Sequence, residues 1–175
     1  MQDNYDIKKL VGKKKRVNSR NKGATFERQV ASLLNDRFST KEFSRTPGSG
    51  AFATTHSLPD YLTIYGDLIT PKNFSFCIEC KKGYNNLKLN HILDYSSELW
   101  KFLDQCDRDA QKISDPNVYP MVIFKQDRQK TLVFTKKFFS LEIEPHIIIA
   151  KSGEPHWAMY YFDDLLQIED WYWFN

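Results

Sequence analysis

Cysteine is scarce in this chain. Its 175 residues include three, Cys77, Cys80 and Cys106, an odd number that makes no complete disulfide framework and fits a reducing compartment. No stretch of about eighteen apolar residues occurs, which argues against a membrane-spanning helix. The polar, basic N-terminus lacks the apolar core of a secretory signal. No Gly-rich loop follows a strand, so dinucleotide-fold and P-loop nucleotide sites are excluded. His56, His91, His146 and His156 are scattered without metal-binding spacing. Cys77-x-x-Cys80 lies in a strand pattern, where residues three apart face opposite ways, and no second pair completes a zinc site. The expected setting is cytoplasmic, without membrane contact.

What is present is enough apolar material for one core, and charge unevenly placed. Hydrophobic residues make up 41% and aromatics 15% of the chain, ample for a single core at this length. Net charge is only +3, yet residues 1–22 hold eight Lys or Arg against two Asp. That segment carries +6 and the remainder −3. Lys13, Lys14, Lys15 and Arg16, followed by Arg20 and Lys22, form a cluster that attracts polyanions through counterion release without reading sequence. The expected organisation is a flexible basic arm over 1–22 and a single domain over 23–175.

Periodicity sets the elements. Phe26, Val30, Leu33 and Leu34 recur at helical spacing over 23–38, with Asn21 placed to cap the start. Glu27 falls on the semi-buried side of that helix, in line with Val30, Ala31 and Leu34. A carboxylate there is expensive unless paired or metal-bound. A strand is expected over 41–45, then a loop through Thr46, Pro47, Gly48, Ser49 and Gly50. A long helix follows over 91–113, where Gln105 is read as a surface amide in preference to one that orients a phosphate or water, then strands over 119–124, 132–135, 147–150 and 157–161. A helical turn over 163–168 precedes Trp171, Tyr172, Trp173 and Phe174, read as core or subunit interface. Helices separating groups of strands predict an α/β fold with a mixed central β-sheet flanked by helices.

The chemistry concentrates between residues 65 and 81. Residues 65–69 and 74–81 read as a β-hairpin about a turn at Pro71, Lys72 and Asn73, which sets Asp67 directly opposite Glu79. Opposed like charges destabilise an antiparallel pair. Lys81 shares the face of Glu79, but one lysine does not neutralise two acids. A divalent cation does, and carboxylate oxygens suit Mg2+, with Mn2+ able to substitute. The expectation is a metal-dependent phosphodiester-cleavage site. Asp67, Glu79 and Glu27 hold the metal, while Lys81 orients water or stabilises developing charge. Asp60, after Pro59, is a rival acid, but its odd separation from Asp67 puts the two on opposite faces of a continuous strand.

The series Gly23-Ala24-Thr25-Phe26-Glu27-Arg28, Arg45 with Gly48-Ser49-Gly50, Gly66-Asp67 and Glu79-Cys80-Lys81 resembles the PD-(D/E)XK nuclease superfamily. More narrowly, it resembles the archaeal and phage-type Holliday junction resolvases. The resemblance covers about residues 20–82. It implies a restriction-endonuclease-like fold and catalytic roles for Glu27, Asp67, Glu79 and Lys81. It also implies DNA contacts by Ser49 and Arg45 near the scissile phosphate. The basic cluster of Lys13, Lys14, Lys15, Arg16 and Arg20 is expected, from its charge, to add phosphate contacts on the duplex arms. The expected activity is magnesium-dependent cleavage of branched DNA, four-way junctions above all. A homodimer is expected, because symmetric incision needs two active sites. Other readings remain open: a restriction-like or repair nuclease for linear or nicked duplexes, an RNA-processing nuclease, or a DNA-binding protein with a vestigial site. A bacterium or a phage-infected host is the expected source.

Overall fold

A computed structural model describes residues 19–47, 65–138 and 143–175. Helix α1 (Ser19–Phe38) starts four residues earlier than the apolar periodicity indicates, within the segment read as an arm. Phe26, Val30, Ala31 and Leu34 form its buried stripe. At its far end Arg37 donates from Nε and Nη2 to the carbonyls of Leu166 and Ile168, at 2.6 and 2.7 Å. These bonds tie the helix to the C-terminal region.

Two short strands follow, β1 (Ser44–Arg45) and β2 (Leu68–Ile69), paired antiparallel to each other. The main sheet has five strands in the order β3-β4-β5-β7-β6. They are β3 (Phe76–Lys82), β4 (Tyr119–Lys125), β5 (Leu132–Thr135), β6 (Ile147–Ile149) and β7 (Trp157–Tyr161). β3 and β4 run parallel and the remaining neighbours antiparallel, so the sheet is mixed, as expected. Successive side chains along a strand alternate faces, and here each face meets a different helix. Phe76, Ile78 and Cys80 pack with α1, whereas Val122 and Phe124 pack with α2 (Glu98–Ala110).

The hairpin expected over 65–81 does not form as a ladder. Its turn exists, with Asn73 at φ 67° and Phe74 N donating to Pro71 O. However, β2 pairs with β1, and β3 takes a parallel partner from 43 residues downstream. Glu79 is in register with Val122, not Asp67. The long helix over 91–113 is likewise broken into a 3-10 turn (Leu89–Ile92) and α2. Between them Asp94 accepts from both the backbone N and the Oγ of Ser96. Such a local turn competes with helix, and Ser97 restarts the helix as its N-cap.

Two short helices close the chain, α3 (Phe162–Leu165) and α4 (Asp170–Trp173). Tyr172 and Trp173 are buried, while Trp171 is exposed. Phe174 bridges to Phe74, and Ser75 N donates to Trp173 O. Tyr172 and Trp173 are therefore core, and Trp171 is not. No helix among the described residues is long and apolar enough to cross a membrane.

Candidate metal centre at the sheet edge

β3 is the terminal strand of its sheet, so one of its edges faces no ladder partner. The segment leading into β2 docks on that edge. Asp67 N donates to Ile78 O at 2.8 Å, and Cys80 N donates to Asp67 Oδ2 at 2.8 Å. This approach requires glycine at position 66. Its φ is +80°, and a Cβ there would stand 2.5 Å from Ile78 O. Gly66-Asp67 is thus one device: the glycine permits contact, and the aspartate binds the exposed edge at two points.

Glu79 and Lys81 project from β3 toward α2. Lys81 Nζ donates to Glu79 Oε1. From α2, Gln105 Nε2 donates to the same oxygen at 3.0 Å, while its Oε1 accepts from Lys81 at 3.4 Å. Glu27 comes from α1 and is clamped by Arg45 Nε. Asp67, Glu79 and Glu27 are all buried, at 7, 3 and 6% exposure. Three buried acids within one another's field, with a lysine and an arginine between them, leave negative charge poorly compensated.

The electrostatics record that excess. Burial, then the charge of Glu79, pushes Asp67 up from an ordinary 3.8 to about 7; the Cys80 N–H pulls the other way. Glu79 is also raised, chiefly by burial, against the opposing pull of Lys81, with Asp109 and Glu27 adding to the rise. Burial would lower Lys81, but Glu79 and Asp67 outweigh it and hold the ammonium above its usual value. The two carboxylates resist ionising together. A divalent cation removes that conflict, and oxygen donors suit Mg2+ or Mn2+.

The structure therefore brings Asp67, Glu79 and Lys81 to one place without the cross-strand pairing expected of them. Among the described residues no three His, Cys, Asp or Glu side chains are grouped to hold a metal ion as they stand. Glu27 belongs to the same electrostatic neighbourhood but is engaged by Arg45. Arg45, expected on DNA, is here the partner of Glu27. Gln105 is no surface amide; it bridges Glu79 and Lys81. An amide at a helical position facing two charged strand residues is its only sequence signal. Ser49, Asp60, His56, Lys13, Lys14, Lys15 and Arg16 lie outside the described residues, as does the side chain of Arg20.

A family model described as "Phage putative PDDEXK endonuclease" matches residues 18–160, from the start of α1 almost to the end of β7. Protein D14 of Escherichia phage T5 is 34% identical over 122 residues, covering 67% of this chain and 70% of that protein. No solved structure gives a significant match. The matched region contains Glu27, Asp67, Glu79, Lys81 and Gln105, and its mixed sheet with helices on both faces is the restriction-endonuclease-like arrangement. The chain belongs to the phage PDDEXK endonuclease family.

Proposed function

We propose that this chain is a magnesium-dependent endodeoxyribonuclease that cuts branched DNA, four-way junctions above all, in the cytoplasm of a phage-infected bacterial host. The observation that carries the catalytic part is the buried Asp67–Glu79 pair with Lys81 beside it. Asp67 and Glu79 would hold the ion, with Glu27 contributing through water. When bound, such an ion offsets charge on the phosphoryl oxygens and makes its coordinated water more nucleophilic.

The protein's own groups have separable roles. The Cys80 N–H holds one oxygen of the Asp67 carboxylate in place, which limits the movement that this group needs before reaction. Lys81 stays protonated because its acidity is weakened; it acts as a fixed cation for developing phosphoryl charge, not as a base. Gln105 positions Glu79 and Lys81 relative to each other. Arg45 is steadied by Glu27 and keeps further N–H donors for a phosphate oxygen.

The junction preference rests on the likeness of the glutamate, Gly-Asp and Glu-x-Lys series to the resolvases. The basic cluster Lys13, Lys14, Lys15, Arg16 and Arg20 adds contacts to the duplex arms, which give affinity without base readout. A homodimer supplies the second active site that paired incision requires. Leu89, Leu93 and Tyr95, exposed and close in sequence, are the surface offered for it.

Cleavage of a four-way junction, a flap and a linear duplex of the same sequence, with Mg2+, tests the proposal. The junction is expected to be cut fastest. Equal cutting of all three would remove the junction preference and leave a nuclease of linear or nicked duplexes. Absence of Mg2+-stimulated cutting on every substrate would overturn the catalytic reading.

A further inference from the structure

A groove of about 390 Å3 opens between α1 and the carboxyl ends of β3 and β4. Phe26 and Leu33 give it an apolar wall, and Gln29, Ser32 and Thr131 place donors around it. Leu33 is 46% exposed there, beside the buried stripe of the helix. Two lysines complete the lining. Lys82 and Lys125 are register partners on adjacent parallel strands, and both continue the alternation that faces α1.

Adjacent like charges on one face of a sheet are destabilising, and both side chains are half-buried, which adds desolvation. Neither forms a salt bridge among the described residues. Lys82 Nζ instead lies 5.5 Å over the ring of Phe26. The nearby acid at the β4–β5 turn, Asp127, is already taken by Lys22 at 3.1 Å and Asn85 at 2.9 Å. Asp127 attracts Lys82 without an ion-pair contact, so the fold keeps two cations side by side with no salt-bridge partner of their own among the described residues, an arrangement that suits an anion.

The location identifies which anion. Lys82 follows Lys81 directly, so its backbone is only about 10 Å along β3 from Glu79, with the side chain on the opposite face. Lys22, one helical turn before Phe26, adds a further cation at the same end of the sheet, paired with Asp127. We infer that this groove is a backbone-holding site for the DNA strand adjoining the cleavage centre, with Lys82 and Lys125 on its phosphates and the Phe26–Leu33 wall against its sugars. The inference rests on the nuclease reading above and adds a second, non-catalytic contact region to it.

The test is binding of a four-way junction and a linear duplex, with Ca2+ replacing Mg2+, across a salt series. Lys82→Gln/Lys125→Gln should bind both DNAs about tenfold or more weakly, and the salt slope should fall by about two, one per lost phosphate contact. Gln29→Lys, which adds a cation to the same groove, should tighten binding and steepen the slope by about one. It keeps the test decisive if the double variant fails to fold. Lys101→Gln, far from the groove and paired with Glu98, is the control and should change neither quantity. Wild-type protein that neither binds nor cuts DNA would defeat the nuclease reading itself. Wild-type protein that cuts, with groove variants keeping its affinity and slope, would defeat the groove assignment alone.

Discussion

At its amino end β3 sets Phe76 among aromatic rings, 5.7 Å from Phe74, 5.6 Å from Trp173 and 5.2 Å from Tyr172 between centroids. Three residues on, the same strand buries Glu79 beside Lys81 and Asp67, with both acids resisting ionisation. One end gains from every neighbour it has; the other is held in a state that its neighbours oppose. Burial of large rings at the first end stabilises the fold enough to tolerate the second. Sites that bind ions or transition states commonly carry strain of this kind, supported from elsewhere in the structure.

The contrast can be broken most forcefully at the aromatic end. Trp173→Ala removes a fully buried ring and is expected to cost about 3–5 kcal/mol of stability, measured by denaturant unfolding. The acidic end answers differently, through pH. Asp67 moves from 3.8 in the unfolded chain to about 7 in the folded one, so the folded state binds the extra proton across that interval. Stability from this group is complete below about pH 4 and is lost as pH rises through about 7. Metal-free protein should therefore be less stable at pH 8 than at pH 5, by a few kcal/mol at most, and should melt at a lower temperature there. Asp67→Asn should flatten that dependence, since it removes the titrating group.

Gly66→Ala sharpens the comparison at a single contact. The new Cβ collides with Ile78 O, so the loop must leave the β3 edge. A loss of about 1–3 kcal/mol is expected, together with loss of cleavage out of proportion to the loss of fold. Gln105→Ala should have the smallest effect on stability. Freed of its amide, the Glu79–Lys81 pair should show an altered pH profile of cleavage and roughly tenfold lower activity. Gln105→Glu should not rescue it, because a third acid there aggravates the repulsion.

How far these features were legible in the sequence depends on the distance over which each is determined. β4, β5 and β7 follow from the local apolar pattern and lie where expected, as does α1 except for its first turn, which the arm's charge concealed. Glu27, Asp67, Glu79 and Lys81 stand out as acids and a lysine in apolar surroundings. The pairing of β3 was not legible, since Asn73 marks a turn without saying whether the arms stay paired afterwards. Its real partner, β4, comes from beyond an intervening helix. Gln105 reaches the site only because α2 packs across β3, a tertiary event that no local pattern carries. The break before α2 was visible in principle, in Asp94, Ser96 and Ser97, but the surrounding apolar periodicity masks it.

Calorimetric titration of Mn2+ into metal-free protein near pH 7 tests the central claim most directly. Wild-type protein should bind the ion with release of protons, because both acids are raised toward that pH and must ionise to coordinate. Asp67→Asn and Glu79→Gln should each weaken binding about tenfold or more and reduce the proton release. Binding of equal strength in both variants, with the same proton release as wild type, would contradict the assignment of this carboxylate pair as a metal site.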